Sequence, residues 1–132
     1  MHLTRDQFAG WLSRYIEAWR SRDPGAIGGL FSSDCSYSYN GGHSAVSGRE
    51  AIVKAWLDEE EAGSWEAAYE PLAIEGEVHV SIGWTRYADE AGALRDDFSN
   101  IFMCRFDEAG QCTEFSEWWM RAPSPVSRLD RG

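Results

Sequence analysis

The run Cys112-Thr113-Glu114-Phe115-Ser116-Glu117-Trp118-Trp119-Met120 crowds aromatic rings around one carboxylate, Glu117. Water competes poorly for a group in such surroundings, so its proton affinity rises toward neutrality, where a carboxyl serves as acid or base. Glu117 could then take a proton from a carbon acid or activate a water, with tyrosine hydroxyls stabilising the developing oxyanion. A second titratable candidate is His43, which follows Gly41-Gly42 in a segment that reads as a loop. At a cavity mouth it could shuttle protons near neutral pH; an exposed loop histidine without a role fits the same position. Trp19, Trp56, Tyr69 and Trp119 could stack on a flat ligand, and each also sits where an ordinary core residue would. His, Asp and Glu do not cluster at metal-ligand spacing, so no metal is expected and any chemistry would be cofactor-free.

The elements that must position these groups are readable from patterning. Thr4-Arg5-Asp6-Gln7 is a capping box, and Phe8, Trp11, Leu12, Tyr15, Ile16 and Trp19 fall at helical spacing behind it. Asp23-Pro24 restarts the chain as a second, shorter helix with Ala26, Ile27, Leu30 and Phe31 on its apolar face. A short strand is expected at 35–39, broken by Asn40-Gly41-Gly42, and the loop with His43 follows. Ser47-Gly48-Arg49-Glu50 reads as a second capping box, opening a helix that ends near Leu57, with 58–61 a solvated acidic end. Four strands then follow, at 65–74, 78–87, 94–106 and 112–120, joined by short Asp and Gly loops that imply antiparallel hairpins. The stretch Ile101-Phe102-Met103-Cys104 is apolar without alternation, so both faces of its strand should be covered, most simply by helices and a second subunit.

Composition narrows the class. A chain of 132 residues is one domain with room for a real core. Its aromatic content of 14%, with seven Trp, exceeds what packing needs, and an aromatic-lined pocket is one use for the surplus. A net charge of −10 with no basic run makes nucleic acid and anionic membranes poor partners. Cys35, Cys104 and Cys112 show no paired spacing, which fits reduced thiols in the cytoplasm. The absence of a basic leader or a membrane-length apolar segment points the same way.

The motifs Ala18-Trp19-Arg20-Ser21-Arg22-Asp23-Pro24, Leu30-Phe31-Ser32-Ser33-Asp34, Gly48-Arg49-Glu50-Ala51-Ile52-Val53 and Phe115-Ser116-Glu117-Trp118-Trp119-Met120, in this order and spacing, resemble the nuclear transport factor 2-like superfamily and its SnoaL-like members. The resemblance covers about residues 3–121 and implies an α+β cone: a curved antiparallel sheet wrapped around N-terminal helices, in the order helix, helix, strand, helix, four strands. It also implies a homodimer formed through the outer sheet face. Residues 1–121 would form the cone and residues 122–132 a mobile tail. The superfamily includes ketosteroid isomerase, limonene epoxide hydrolase, cyclases, dehydratases and proteins without known activity, so the fold alone leaves function open.

Carried over residue by residue, Tyr15 takes the place of the isomerase's oxyanion-holding tyrosine. Its carboxylate base is replaced by Tyr39 and its protonated aspartate by Phe102. Against the epoxide hydrolase, Tyr37 matches a water-holding tyrosine and Glu117 one of two carboxylates, while the Arg and the other Asp fall near Gly83 and Thr85. The register turns Phe115, Glu117 and Trp119 into the cone, where Glu117 meets Tyr15, Tyr37, Tyr39 and Asn100, and turns Ser116, Trp118 and Met120 outward. Trp84, Ile101, Met103 and Trp118 form a dimer patch. Two readings of Glu117 stay open: acid/base chemistry, or a structural carboxylate held by Asn or Tyr hydrogen bonds or by Arg86 or Arg105. The expected function is binding of a small apolar or aromatic molecule. The alternatives are a cofactor-free isomerase, cyclase, dehydratase or hydrolase, with Glu117, Tyr15 and His43 as its catalytic groups, and a protein-interaction module. Trp19, Tyr37, Tyr39, Trp56, Asn100, Phe102, Phe115 and Trp119 are the expected ligand-binding residues.

Overall fold

A computed structural model describes residues 2–40, 43–59 and 63–122, with only the backbone of 43 and 44. Helix α1 (Arg5–Ser21) starts where expected: the Thr4 hydroxyl accepts from the Gln7 N–H, and the Gln7 side chain accepts from the Thr4 N–H. These bonds satisfy two of the N–H groups that a helix start leaves orphaned. Its buried stripe is Phe8, Trp11, Leu12, Tyr15 and Ala18. Arg22 ends it in the left-handed region at φ 57°.

Helix α2 (Pro24–Gly28) is shorter than the periodicity implies. Gly28 and Gly29 are poor helix formers, so the chain leaves the helix there, and Phe31 begins strand β1 (Phe31–Tyr39). The segment expected to be a loop after Asn40 contains strand β2 (His43–Ser47), which pairs antiparallel with β1. Ser47 is therefore spent on the ladder, opposite Ser36, and the second capping box does not form. Gly48, at φ 94°, makes the strand-to-helix corner instead, and α3 (Arg49–Asp58) has no side-chain cap.

Strands β3 (Ser64–Glu75), β4 (Val78–Ala88), β5 (Leu94–Phe106) and β6 (Cys112–Arg121) lie within a residue or so of their expected limits. The sheet order is β2-β1-β6-β5-β4-β3, and every neighbouring pair is antiparallel except β1 and β6, which run parallel. The four long strands pair antiparallel as expected, and the β1–β6 pair is the one departure within the curved antiparallel sheet. β1 and β6 are far apart in the chain, with α3 and four strands between them, so no hairpin dictates their direction. The result is the curved α+β cone wrapped around the helices.

The cone is filled from one end. Phe8, Trp11 and Leu12, from the first half of α1, are fully buried with Phe31, Phe102, Phe106 and Phe115. Trp11 packs edge-on against Phe31 and Phe106, at 6.1 and 5.3 Å between ring centroids. His79 on the inner sheet face takes part: its Nε2 accepts from the Leu3 N–H at 2.9 Å, which leaves the ring proton on Nδ1, beside the Glu77 carbonyl. The second half of α1, carrying Tyr15 and Trp19, reaches the end that is left open. Of the expected mobile tail, Ala122 donates its N–H to the Asp97 carbonyl at 2.7 Å, and the rest lies outside the described residues.

Candidate functional site

The open end of the cone holds a cavity of about 370 Å³. Helix α1 gives it Tyr15 and Trp19, β1 gives Tyr37 and Tyr39, and the end of α3 gives Trp56 and Glu59. The far wall is built by alternation, because every second side chain of a strand faces inward: Tyr69 on β3, Thr85 and Tyr87 on β4, Phe98 and Asn100 on β5, Glu117 and Trp119 on β6.

A directional chain of hydrogen bonds crosses that wall. The Thr85 hydroxyl donates to Asn100 Oδ1 at 2.9 Å, so the Tyr69 hydroxyl, 2.7 Å from Thr85 Oγ1, is the donor in its own bond. With Oδ1 so occupied, the Asn100 amide turns its Nδ2 toward Glu117 and donates to Oε2 at 2.8 Å. No described residue hydrogen-bonds the other carboxylate oxygen, Oε1. Burial pushes the Glu117 carboxyl up to about 7; the Asn100 hydrogen bond opposes the rise and the Glu59 charge adds to it. Across the cavity the Tyr15 and Tyr37 hydroxyls share a hydrogen bond of 3.1 Å. Burial raises both well above the ordinary phenol range, and it raises Tyr39 to about 12, so all three stay protonated at neutral pH.

The structure thus brings Glu117, Tyr15, Tyr37, Tyr39, Asn100, Trp19, Trp56 and Trp119 to one cavity. Phe102 and Phe115 do not line it: at 1% and 0% exposed they are core, supporting Tyr15 from behind at 5.2 and 5.7 Å between ring centroids. Both rings belong to the packed core beside the lining rather than to the lining itself. The His43 backbone sits in β2 opposite Tyr39, and its side chain lies outside the described residues. Neither arginine considered as a structural partner for Glu117 reaches it. Arg86 lies 3.6 Å from Asp97, and Arg105 lies 3.2 Å from Glu114. These side chains leave their strands on the opposite face from Thr85 and Cys104, their inward neighbours. Glu59, read from sequence as part of a solvated helix end, is exposed yet lines the cavity.

Thr85, Tyr87 and Phe98 are cavity residues that sequence reasoning did not select. The signal was present, since Tyr87 and Thr85 alternate with Gly83 along β4, and Phe98 with Asn100 along β5.

Among solved structures the chain is similar to a protein named as a ketosteroid isomerase from Kribbella flavida, with TM-score 0.69 and 15% identity over 92% of this chain and 83% of that one. It is also similar to an LEH-like epoxide hydrolase of M. tuberculosis, with TM-score 0.69 and 15% identity over 88% and 84%. A third is a conserved protein from Planctomyces limnophilus, with TM-score 0.67 and 16% identity over 89% and 98%. At these identities the likeness is one of fold. No curated protein matches the chain. The profile of the SnoaL-like domain matches residues 12–115, from the middle of α1 to Phe115 on β6, and so takes in most of the cone: the chain belongs to the SnoaL-like domain family.

Proposed function

We propose that this protein binds a small, largely apolar or aromatic molecule in the cone, with Glu117 as its principal polar anchor and Asn100, Tyr15 and Tyr37 beside it. The observation that carries this reading is the Glu117 carboxylate, fixed through Oε2 by Asn100 and left without a partner on Oε1, in a cavity walled by rings. Oε1 opens onto the cavity, since Ser81 Oγ is the one sealed and unpartnered side-chain polar atom among the described residues, and a ligand that offers Oε1 a partner takes the place of water there.

One further observation favours a second reading, catalysis. A carboxyl held near 7 is poised to give and take protons at physiological pH, and three protonated phenols lie around it. In this reading Glu117 is the general acid/base of a cofactor-free isomerase, cyclase, dehydratase or hydrolase, and Tyr15 holds an oxyanion. Three buried, unpaired thiols support a cytoplasmic location. The half-buried Trp84, Ile101, Met103 and Trp118 on the outer face support a homodimer.

The test is untargeted mass spectrometry of a cell metabolite extract incubated with the wild-type protein and with Glu117→Gln. A compound retained by the wild type and lost or weakened in the variant is the expected result. Consumption of a compound by the wild type alone would establish the catalytic reading. Extracts in which neither protein retains nor consumes anything would sink both.

A further inference from the structure

The lining of the cavity has a charge character that its volume does not reveal. Nine of its thirteen lining residues carry aromatic rings, and its two carboxyl groups are those of Glu117 and Glu59. Among the described residues no Lys, Arg or His lines it. The nearby arginines are engaged elsewhere. Arg22 donates through Nη2 to the carbonyls of Leu57 and Glu59, at 2.8 Å each. Arg20 lies over the outer ring of the Trp19–Trp65 stack, 4.5 Å from the Trp65 centroid.

Ring faces present negative potential and attract a cation in contact with them, most strongly where water is excluded. A carboxylate in the same enclosure adds a full charge of the same sign. An anion entering this cavity would meet repulsion from both. A neutral ligand would strip water from Glu117 and return no opposite charge, so the burial cost of the carboxylate would rise. A cation reverses that cost. The chain's net charge of −10 also raises the local concentration of cations around it.

We propose that the ligand is an organic ammonium ion, seated with its charge beside Glu117 Oε1 and its apolar groups against Trp56, Tyr69 and Trp119. The inference rests on the binding reading given above and names the chemical class of ligand for that site. It carries a proton linkage with a definite sign. A permanent cation favours ionised Glu117, and the other groups facing it, Tyr15, Tyr37 and Tyr39, stay neutral through the range concerned. Glu59 at the mouth adds negative charge without reversing the sign. Affinity for the cation therefore falls as pH drops below about 7, approaching tenfold per pH unit where Glu117 is mostly protonated, and levels off above that point. A neutral ligand accepting a hydrogen bond from protonated Glu117 would show the opposite slope.

Phenyltrimethylammonium and its neutral carbon isostere tert-butylbenzene separate the possibilities. Binding is followed by fluorescence of the tryptophans that line the cavity, between pH 5.5 and 8.5. The expected result is at least tenfold tighter binding of the cation at pH 8.5, a preference that shrinks on acidification and is largely lost in Glu117→Gln at every pH. Circular dichroism and a thermal melt establish that the variant is folded, and the wild-type comparison of the two probes stands without it. Equal or tighter binding of the neutral isostere would overturn the ammonium assignment and leave the cavity a binding site. Failure of both probes to bind would overturn both.

Discussion

A carboxyl whose ordinary titration point of 4.5 is moved to about 7 keeps its proton in the folded chain over a range where the unfolded chain has released it. Between those two values the native state holds more protons, so Glu117 makes stability fall as pH rises, and the loss is complete above the folded value. Glu117→Gln removes this dependence and keeps an oxygen for the Asn100 donor. In urea unfolding, the stability of the variant relative to the wild type is expected to climb from pH 5 to pH 8, by about 3 kcal/mol at most. A difference independent of pH would show that Glu117 titrates in its ordinary range. Asn100 acts on the same balance from the other side, since its amide stabilises the charged carboxylate. Asn100→Leu, close in size and without the donor, should move the Glu117 titration up by about one further pH unit, read from the carboxyl infrared band. An unchanged band position across the titration would remove Asn100 from the account. Glu117 itself was legible in the sequence because a carboxylate between Phe115 and two tryptophans is unusual chemistry. Its partner was harder to assign, since Asn, Tyr and Arg are all able to hold a carboxylate. Only strand register put Asn100 inside and sent Arg86 and Arg105 outside.

At the scale of elements, what sequence revealed follows from period. Helix α1 carries a 3.6-residue pattern, and the four long strands are runs bounded by short Asp and Gly loops, so all five sit where those signals place them. Strand β2 is five residues long and half polar, and it forms because β1 offers it an edge, a tertiary cause invisible to local pattern. The same holds for the parallel pairing of β1 with β6, which brings Tyr39 level with Glu117. Gly83 shows how a strand position shapes the site without lining it. It faces inward on β4, opposite Tyr69 on one side and Asn100 on the other, and a Cβ there would fall on the Ala68 carbonyl and the Tyr69 ring. The missing side chain lets the Tyr69 ring lie close over β4 and reach Thr85, the start of the hydrogen-bond chain to Glu117. Gly83→Ala should destabilise the fold by about 1–3 kcal/mol and displace Tyr69 from Thr85. Chemical denaturation together with the Thr85 hydroxyl resonance would show both effects. A variant of wild-type stability would mean that β3 and β4 separate without cost.

At the scale of the whole molecule, the sheet has two faces and a single layer of helices. The inner face is spent on the core and the cavity, and the outer face keeps large apolar groups in water: Ile82 and Met120 are 38% and 50% exposed, and Trp84 lies under the Arg86 guanidinium at 4.2 Å. Two copies meeting face to face would bury these groups in an isologous contact, where each side chain near the two-fold axis counts twice. Such a dimer brings together two bodies of net charge −10, and that repulsion acts over distances that salt screens. Apolar burial is indifferent to screening at these concentrations, so the two forces can be told apart. Sedimentation equilibrium is expected to show a species of twice 14.9 kDa whose association strengthens between about 20 and 300 mM salt, the Debye length shrinking well below the width of the chain. Ile82→Lys should return the protein to a monomer at either salt concentration, because it places two ammonium groups in the contact. A wild type that stays monomeric at high salt would leave the outer face exposed to solvent. The dimer assignment would then fail, while the cavity, on the opposite face of the sheet, would be untouched.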